Sequence, residues 1–111
     1  MSDADIVGRL REVLGASLVA YLGGVKETRA VAQWAAGQRR PSSAVMTRLR
    51  TAYQVTALLG GVDSAGVVQA WFQGMNPDLE DMSPARVLRE QLLDQAGPAV
   101  ITAARSFAAQ G

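Results

Sequence analysis

The segment Leu18–Pro41, LVAYLGGVKETRAVAQWAAGQRRP, is the part of the sequence that most strongly constrains the fold. At its centre is the pair Gly23-Gly24, which favours a tight turn because glycine adopts a positive φ at little steric cost. Apolar residues recur at helical spacing on both sides, so one helix is predicted over residues 17–22 and another over residues 27–36. Two short helices joined by a narrow turn are typical of a helix-turn-helix.

In a helix-turn-helix, the second helix enters the major groove of DNA with its N-terminal residues toward the bases. Val25, Val31 and Trp34 are predicted on its apolar side. Arginine and glutamine on the other side suit guanine and adenine, and arginines beyond the helix suit phosphates. The predicted DNA-binding residues are Lys26, Thr28, Arg29, Gln33, Arg39 and Arg40. The alternative is a common helical hairpin with a glycine turn and solvated arginines.

Helices are also predicted along the rest of the chain, which is rich in alanine and leucine and has only two isoleucines. The predicted N-terminal caps are Asp3 or Asp5, Ser42 or Ser43, Asp63 or Ser64, and Ser83. The predicted helix ends are Gly15, Gly37, Gly60-Gly61 and Gly74. A further break is predicted at Gly97-Pro98, because proline disrupts a helix interior.

The fold class that follows is all-α, a compact multi-helix domain. With 111 residues, of which 49% are hydrophobic and 19% charged, the chain has the size and composition of one globular domain. Within it, residues 1–60 form the predicted helix-turn-helix DNA-binding region, and residues 61–111 form a second helical region.

Charge is divided unevenly between these two regions. Residues 1–60 contain eight basic and four acidic side chains, a net charge of +4, whereas residues 61–111 contain three basic and six acidic side chains, a net charge of −3. A basic region joined to an acidic region indicates two different partners, the first of them a polyanion.

Histidine and cysteine are absent, which excludes thiol catalysis, a Ser-His-Asp triad and Cys/His zinc sites. Two other pairs are candidate catalytic residues. Ser17 and Lys26 are separated by the turn and have no oriented base, and Glu12 and Glu27 lie on separate helices. We therefore predict a protein that is not an enzyme and that needs no cofactor.

The loop Met75–Met82 contains three carboxylates within the four residues Asp78–Asp81. It has neither the spacing nor the turn glycine of a calcium loop, so no metal site is predicted and a solvated loop with Leu79 directed inward is expected. An acidic surface here would also suit a basic partner, and the methionines at its ends suit an interface as well as a core.

The N-terminal sequence gives no indication of secretion. Residues 1–5 are acidic where a signal peptide would be basic, and no apolar stretch of the signal-peptide type follows. The longest apolar stretch, residues 16–25, is too short to span a membrane. A cytoplasmic location is expected.

Two sets of residues resemble a known family. Val31-Ala-Gln-Trp-Ala-Ala-Gly37 followed by Pro41 resembles the W-x-x-G-x-x-x-P signature of Xre-type helix-turn-helix regulators. The second set resembles the C-terminal toxin-binding domain of the MbcA/ParS/Xre antitoxins, the partners of RES-domain toxins. Its members are Ala70-Trp-Phe72, Asn76-Pro77, Leu79, Ser83-Pro84-Ala85 and Val87-Leu88-Arg89. The likeness covers nearly the whole chain from about Leu10.

The resemblance implies the antitoxin of a type II toxin-antitoxin system. Such a protein neutralises a RES-domain, NAD-consuming toxin, encoded by an adjacent gene, by occluding its active site. The resemblance also implies a homodimer that binds operator DNA and represses its own operon. The implied toxin contacts are Trp71, Asn76, Leu79, Pro84, Arg105 and Phe107. The terminal segment Ala104–Gly111 either plugs the toxin site or packs on the body through Phe107, with its last residues frayed.

Two other functions are compatible with the sequence. One is a stand-alone transcriptional regulator whose second half only dimerises, in which case no adjacent gene encodes a toxin. The other is a protein-binding module whose helix-turn-helix has lost its DNA affinity. Changing Arg29, Arg39 and Arg40 to alanine would then leave every activity intact.

Overall fold

The computed structural model describes residues 1–110, and within this range it contains seven α-helices, one 3₁₀ helix and no strand. The all-α fold is thereby confirmed. The α-helices are α1 (Asp3–Leu14), α2 (Ala16–Gly23), α3 (Thr28–Ala35), α4 (Ser43–Gly60), α5 (Ala65–Gln73), α6 (Pro84–Glu90) and α7 (Leu93–Gln110). The 3₁₀ helix, Pro77–Leu79, lies between α5 and α6.

A hydrophobic core joins helices from both halves of the chain. α4 packs against α1, α2, α5 and α7, and α2 also contacts α6. The largest fully buried side chains include Leu10, Leu22, Leu49, Phe72 and Leu88. Burial of each such side chain contributes about 1.5–3 kcal/mol. This burial stabilises the five helices other than α4 and α7, which have 12 residues or fewer and are too short to persist in water by themselves.

Serine side chains cap four of the helices. Ser42, Ser64 and Ser83 each accept a hydrogen bond from a backbone N–H three residues later, at 3.2, 3.4 and 3.2 Å. These three caps are among those predicted. The aspartate cap predicted for α1 was wrong, because Ser2 Oγ accepts from the N–H of Asp5 while the Asp5 carboxylate accepts from the N–H of Ser2. In this capping box the acidic residue is the partner of the cap.

The predicted break at Gly97-Pro98 was also wrong, because α7 continues through it with Pro98 inside the helix. Pro98 is exposed, so its ring lies in solvent. Because proline has no N–H, one backbone carbonyl in the preceding turn lacks its helical donor, and it can bind water instead. The opposite side of α7 is buried and packs against α4. Its buried residues are Ala96, Gly97, Val100, Ala103 and Ala104. Burial of this side outweighs the ~3 kcal/mol that an interior proline costs.

Replacing Pro98 with alanine is expected to raise the free energy of unfolding by about 1–3 kcal/mol, because it restores one helical hydrogen bond. Denaturant unfolding measures the change. Gln95→Ala, at an exposed position of the same helix, is the control and should stay within about 0.5 kcal/mol of the parent. A less stable P98A would mean that the restriction proline places on the unfolded chain exceeds its cost in the helix.

None of the helices within residues 1–110 has both the length and the apolar character that crossing a membrane requires.

Candidate functional site

α2 and α3 meet at the predicted turn, and its two glycines are needed for different reasons. Gly24 ends α2 in the left-handed conformation, with φ of 72°. Gly23 lies directly against Trp34 of α3, where an added Cβ would stand 2.8 Å from the indole Cζ3. Gly24 therefore supplies the conformation of the turn, and Gly23 supplies the space that lets the two helices approach.

One side of α3 belongs to the core, as predicted. Val31 is fully buried, Trp34 is 4% exposed, and Val25 before the helix is half-buried. The other side is directed to solvent. Among the predicted DNA-binding residues, Gln33 is half-buried, and those that are exposed are Lys26, Thr28, Arg29, Arg39 and Arg40.

An open cleft of about 430 Å³ brings several of these residues together. Its lining includes Lys26, Arg29, Gln33 and Arg39, together with one carboxylate, that of Glu27. Arg40 is directed elsewhere: with Arg39 it lines a neighbouring cleft of about 420 Å³ between the end of α3 and the start of α1. All the predicted residues except Thr28, which lines neither cleft, therefore occupy two adjoining clefts, with Arg39 in both.

The basic side chains of this surface have no acidic partner in the described chain. The ion pairs found within residues 1–110 are Arg50–Asp3 and Arg86–Glu90. Lys26, Arg29, Arg39 and Arg40 are in neither pair. Their charge is available to a polyanion without first breaking an internal interaction.

The start of α3 differs from the serine-capped helices. Its N-cap residue, Glu27, makes no side-chain hydrogen bond to the backbone. The first backbone N–H groups of α3 therefore have no side-chain acceptor, and they lie beside Lys26 and Arg29. A helix N-terminus with open N–H groups and adjacent cations is suited to phosphate oxygens or to acceptors on base edges.

The implied toxin contacts are divided between core and surface. Trp71, Leu79 and Pro84 are buried. Asn76 precedes the 3₁₀ helix, and its side chain accepts a hydrogen bond of 2.9 Å from the N–H of Asp78. In the chain by itself, these four residues pack the second half and shape its loop. Leu79 is directed inward as expected.

The remaining two contacts lie on α7. Arg105 is exposed, whereas Phe107 is half-buried with its ring centroid 6.3 Å from that of Trp71. Phe107 thus packs on the body, while residues 108–110 stay helical instead of fraying. Gly111, the last residue of the predicted plug, lies outside the described residues.

Two surface features were missed by the sequence analysis. The guanidinium carbon of Arg89 lies 4.4 Å from the centroid of the Tyr21 ring, a cation–π contact that ties α6 to α2. Leu92, between α6 and α7, is 70% exposed. The exposure of Leu92 could be predicted from the sequence only through its position next to Leu93, because helical spacing directs just one of two neighbouring leucines toward the core.

In the described part of the chain, no three acidic side chains converge as potential metal ligands. The three carboxylates of the loop Asp78–Asp81 are exposed.

Comparison with known proteins gave a family match. The family model described as "Acetyltransferase (GNAT) domain" matches residues 5–102, a range that begins in α1 and ends in α7. No curated protein and no solved structure matches the chain.

Proposed function

The chain belongs to the acetyltransferase (GNAT) domain family. We propose that it is a binding protein that catalyses no reaction of its own, namely a cytoplasmic antitoxin of the MbcA/ParS/Xre type. In this proposal the protein is a homodimer that binds operator DNA through α3. Residues 61–111 bind a RES-domain toxin encoded by an adjacent gene and occlude its active site. The operon is repressed by the same DNA contact.

The observation that carries the DNA-binding part is the unpaired basic surface around the uncapped start of α3. Lys26, Arg29, Gln33 and Arg39 share one open cleft, which suits the convex phosphate backbone of a groove edge better than a small enclosed ligand. Because α3 is held by Val31 and Trp34 in the core, its outer side is presented on a rigid support.

The toxin-binding part is supported by charge and by exposed apolar surface in the second half. Residues 51–85 contain no lysine or arginine, and Met75 and Leu92 are 82% and 70% exposed. A surface of this kind would not bind DNA, since it would repel phosphates. It is suited to a protein, so one chain can engage both partners at once.

Co-expression with the product of the adjacent gene tests the antitoxin proposal. We expect the two chains to co-purify in a fixed ratio when only the neighbour is tagged, and growth to be rescued. Because the second half also packs the core, the variant should be a surface one: Arg105→Glu, at an exposed position of α7, is expected to weaken rescue. Arg11→Glu, at an exposed position of α1, is the control. A neighbour that is neither toxic nor bound contradicts the proposal.

Acetyl transfer is a second candidate, and the family match over residues 5–102 is the observation in its favour. It predicts that the chain binds an acetyl thioester and transfers the acetyl group to an amine. Titration of the isotope-labelled chain with acetyl-CoA, followed by amide chemical shifts, separates the two candidates. A saturable, localised shift supports acetyl transfer, and unchanged spectra support the binding protein.

A further inference from the structure

We propose that the loop of residues 75–82 and the α6–α7 junction form one docking surface for a basic, apolar segment of a partner protein. We name this the acidic surface and define it by Met75, Asp78, Glu80, Asp81 and Leu92. The proposal deepens the proposed function, on which it rests for the identity of its natural partner, by giving the place and chemistry of that contact.

The two most exposed large apolar side chains in residues 1–110 belong to this surface. They are Met75 and Leu92, at 82% and 70% exposed. The residue after Met75, Asn76, donates its backbone N–H to the Met82 carbonyl at 3.2 Å. The residue before Leu92, Gln91, contacts Met82 Sδ through its side-chain Nε2 at 3.7 Å. Met82 thus links the neighbour of Met75 to the neighbour of Leu92 and joins the two segments.

A cleft of about 190 Å³ adjoins this surface and shares Asp78 and Glu80 with it. The rest of its lining is Leu79, Val87 and Ala99, which are apolar, and Gln91. A cleft lined by apolar and acidic side chains is complementary to an apolar side chain flanked by lysine or arginine.

The charges around the cleft leave it net negative. Asp78, Glu80 and Asp81 are exposed and take part in no ion pair within residues 1–110. Two cations lie near this surface along the chain. Arg86 is already paired with Glu90, whose carboxylate raises the pKa of Arg86 chiefly through their hydrogen bond, and the guanidinium of Arg89 lies over the Tyr21 ring of α2. Because that pair is self-neutralising, the unpaired carboxylates determine which partner the surface selects, and they select a basic one.

The experiment uses the full chain, isotope-labelled, and a short synthetic helical peptide of leucine and lysine. We expect amide shifts confined to residues 75–82 and 91–92, weakened by salt. The same peptide with glutamate in place of lysine should not bind, and neither should one with serine in place of leucine. Shifts centred on another region, or no shifts, would overturn the proposal.

Variants then separate the two components of the surface. Met75→Ser with Leu92→Ser should weaken peptide binding at least about tenfold. Asp78→Asn, Glu80→Gln and Asp81→Asn together should weaken it about fivefold to tenfold at low salt and little at high salt. Val62→Ser with Val67→Ser, which removes exposed apolar side chains elsewhere (55% and 39% exposed), is the matched control and should change nothing.

The same variants distinguish this proposal from the antitoxin proposal. If the adjacent gene product binds the parent and the M75S/L92S variant equally well, the antitoxin proposal stands and the docking surface is wrong. If the adjacent gene product does not bind but the peptide does, the docking surface stands and its partner is a different basic protein. Self-association that the acidic-surface variants abolish would instead make the occupant a second copy of this chain, and would overturn the choice of partner.

Discussion

Replacing Arg29, Arg39 and Arg40 together with alanine is expected to reduce DNA affinity by roughly two to three orders of magnitude near 0.1 M salt. The three guanidinium groups are exposed, unpaired within residues 1–110, and distributed over the two adjoining clefts at α3. Each phosphate contact that is lost should lower the slope of log K against log salt by about 0.9. Fluorescence anisotropy over a series of salt concentrations measures both quantities.

The matched control is the replacement of Arg86, Arg89 and Arg105 with alanine, which removes the same charge from the other half of the chain. Those arginines are also exposed, so a general charge effect would weaken both variants alike. We expect the control to keep most of the affinity and the full salt slope. Equal losses in the two variants, or an unchanged affinity in the first, would contradict a DNA site at α3, and a parent chain that does not bind DNA would favour the protein-binding module.

Replacing Gly23 with alanine is expected to lower the free energy of unfolding by about 2–3 kcal/mol, a typical cost of overpacking. The added Cβ would lie 2.8 and 2.9 Å from Cζ3 and Cη2 of Trp34. The indole is 4% exposed and closely packed, so relief requires α2 and α3 to separate or the ring to shift toward the cleft that it lines. Thermal and denaturant unfolding measure the loss, and DNA affinity should fall with it because the turn sets the position of α3.

Gly8→Ala is the control for this prediction. Nothing lies within 4 Å of a Cβ added at Gly8, which is inside α1. Alanine there should therefore stabilise the chain by about 0.5–1 kcal/mol. Combining Gly23→Ala with Trp34→Phe should recover part of the lost free energy of unfolding, because the smaller ring leaves room for the added Cβ. The substitution also removes Trp34 Nε1, which is buried without a hydrogen-bond partner in the described residues. If G23A behaves like G8A, the indole is not in tight contact with α2.

Much of the helix pattern could be predicted from local sequence because the determining interactions are local. Ser42, Ser64 and Ser83 bond to N–H groups three residues away, and Gly24 needs only its own positive φ. The outward side of α3 could also be predicted, since Val31 and Trp34 at helical spacing define the inward side. For the candidate site, the sequence predicts which residues are available and on which side of the helix they lie.

Two features that the sequence did not predict depend on contacts between distant residues. Pro98 reads locally as a helix end, but α4 covers the opposite side of α7 and keeps the helix continuous. Met75 and Leu92 are far apart in sequence, and Met82 connects their neighbours. The cap of α1 is a local exception: Ser2 and Asp5 are both suitable cap residues three positions apart, and their reciprocal hydrogen bonds decide which of them occupies the cap.

The sequence by itself determined the all-helical class, the glycine turn between α2 and α3, and the separation of basic and acidic halves. These follow from side-chain chemistry and short-range spacing, which do not require knowledge of neighbours. Only the tertiary structure decided that α7 is continuous, that Trp71 is a core residue, and that the acidic surface is assembled from two segments. Burial and proximity between distant segments depend on how helices pack, and no local pattern encodes that packing.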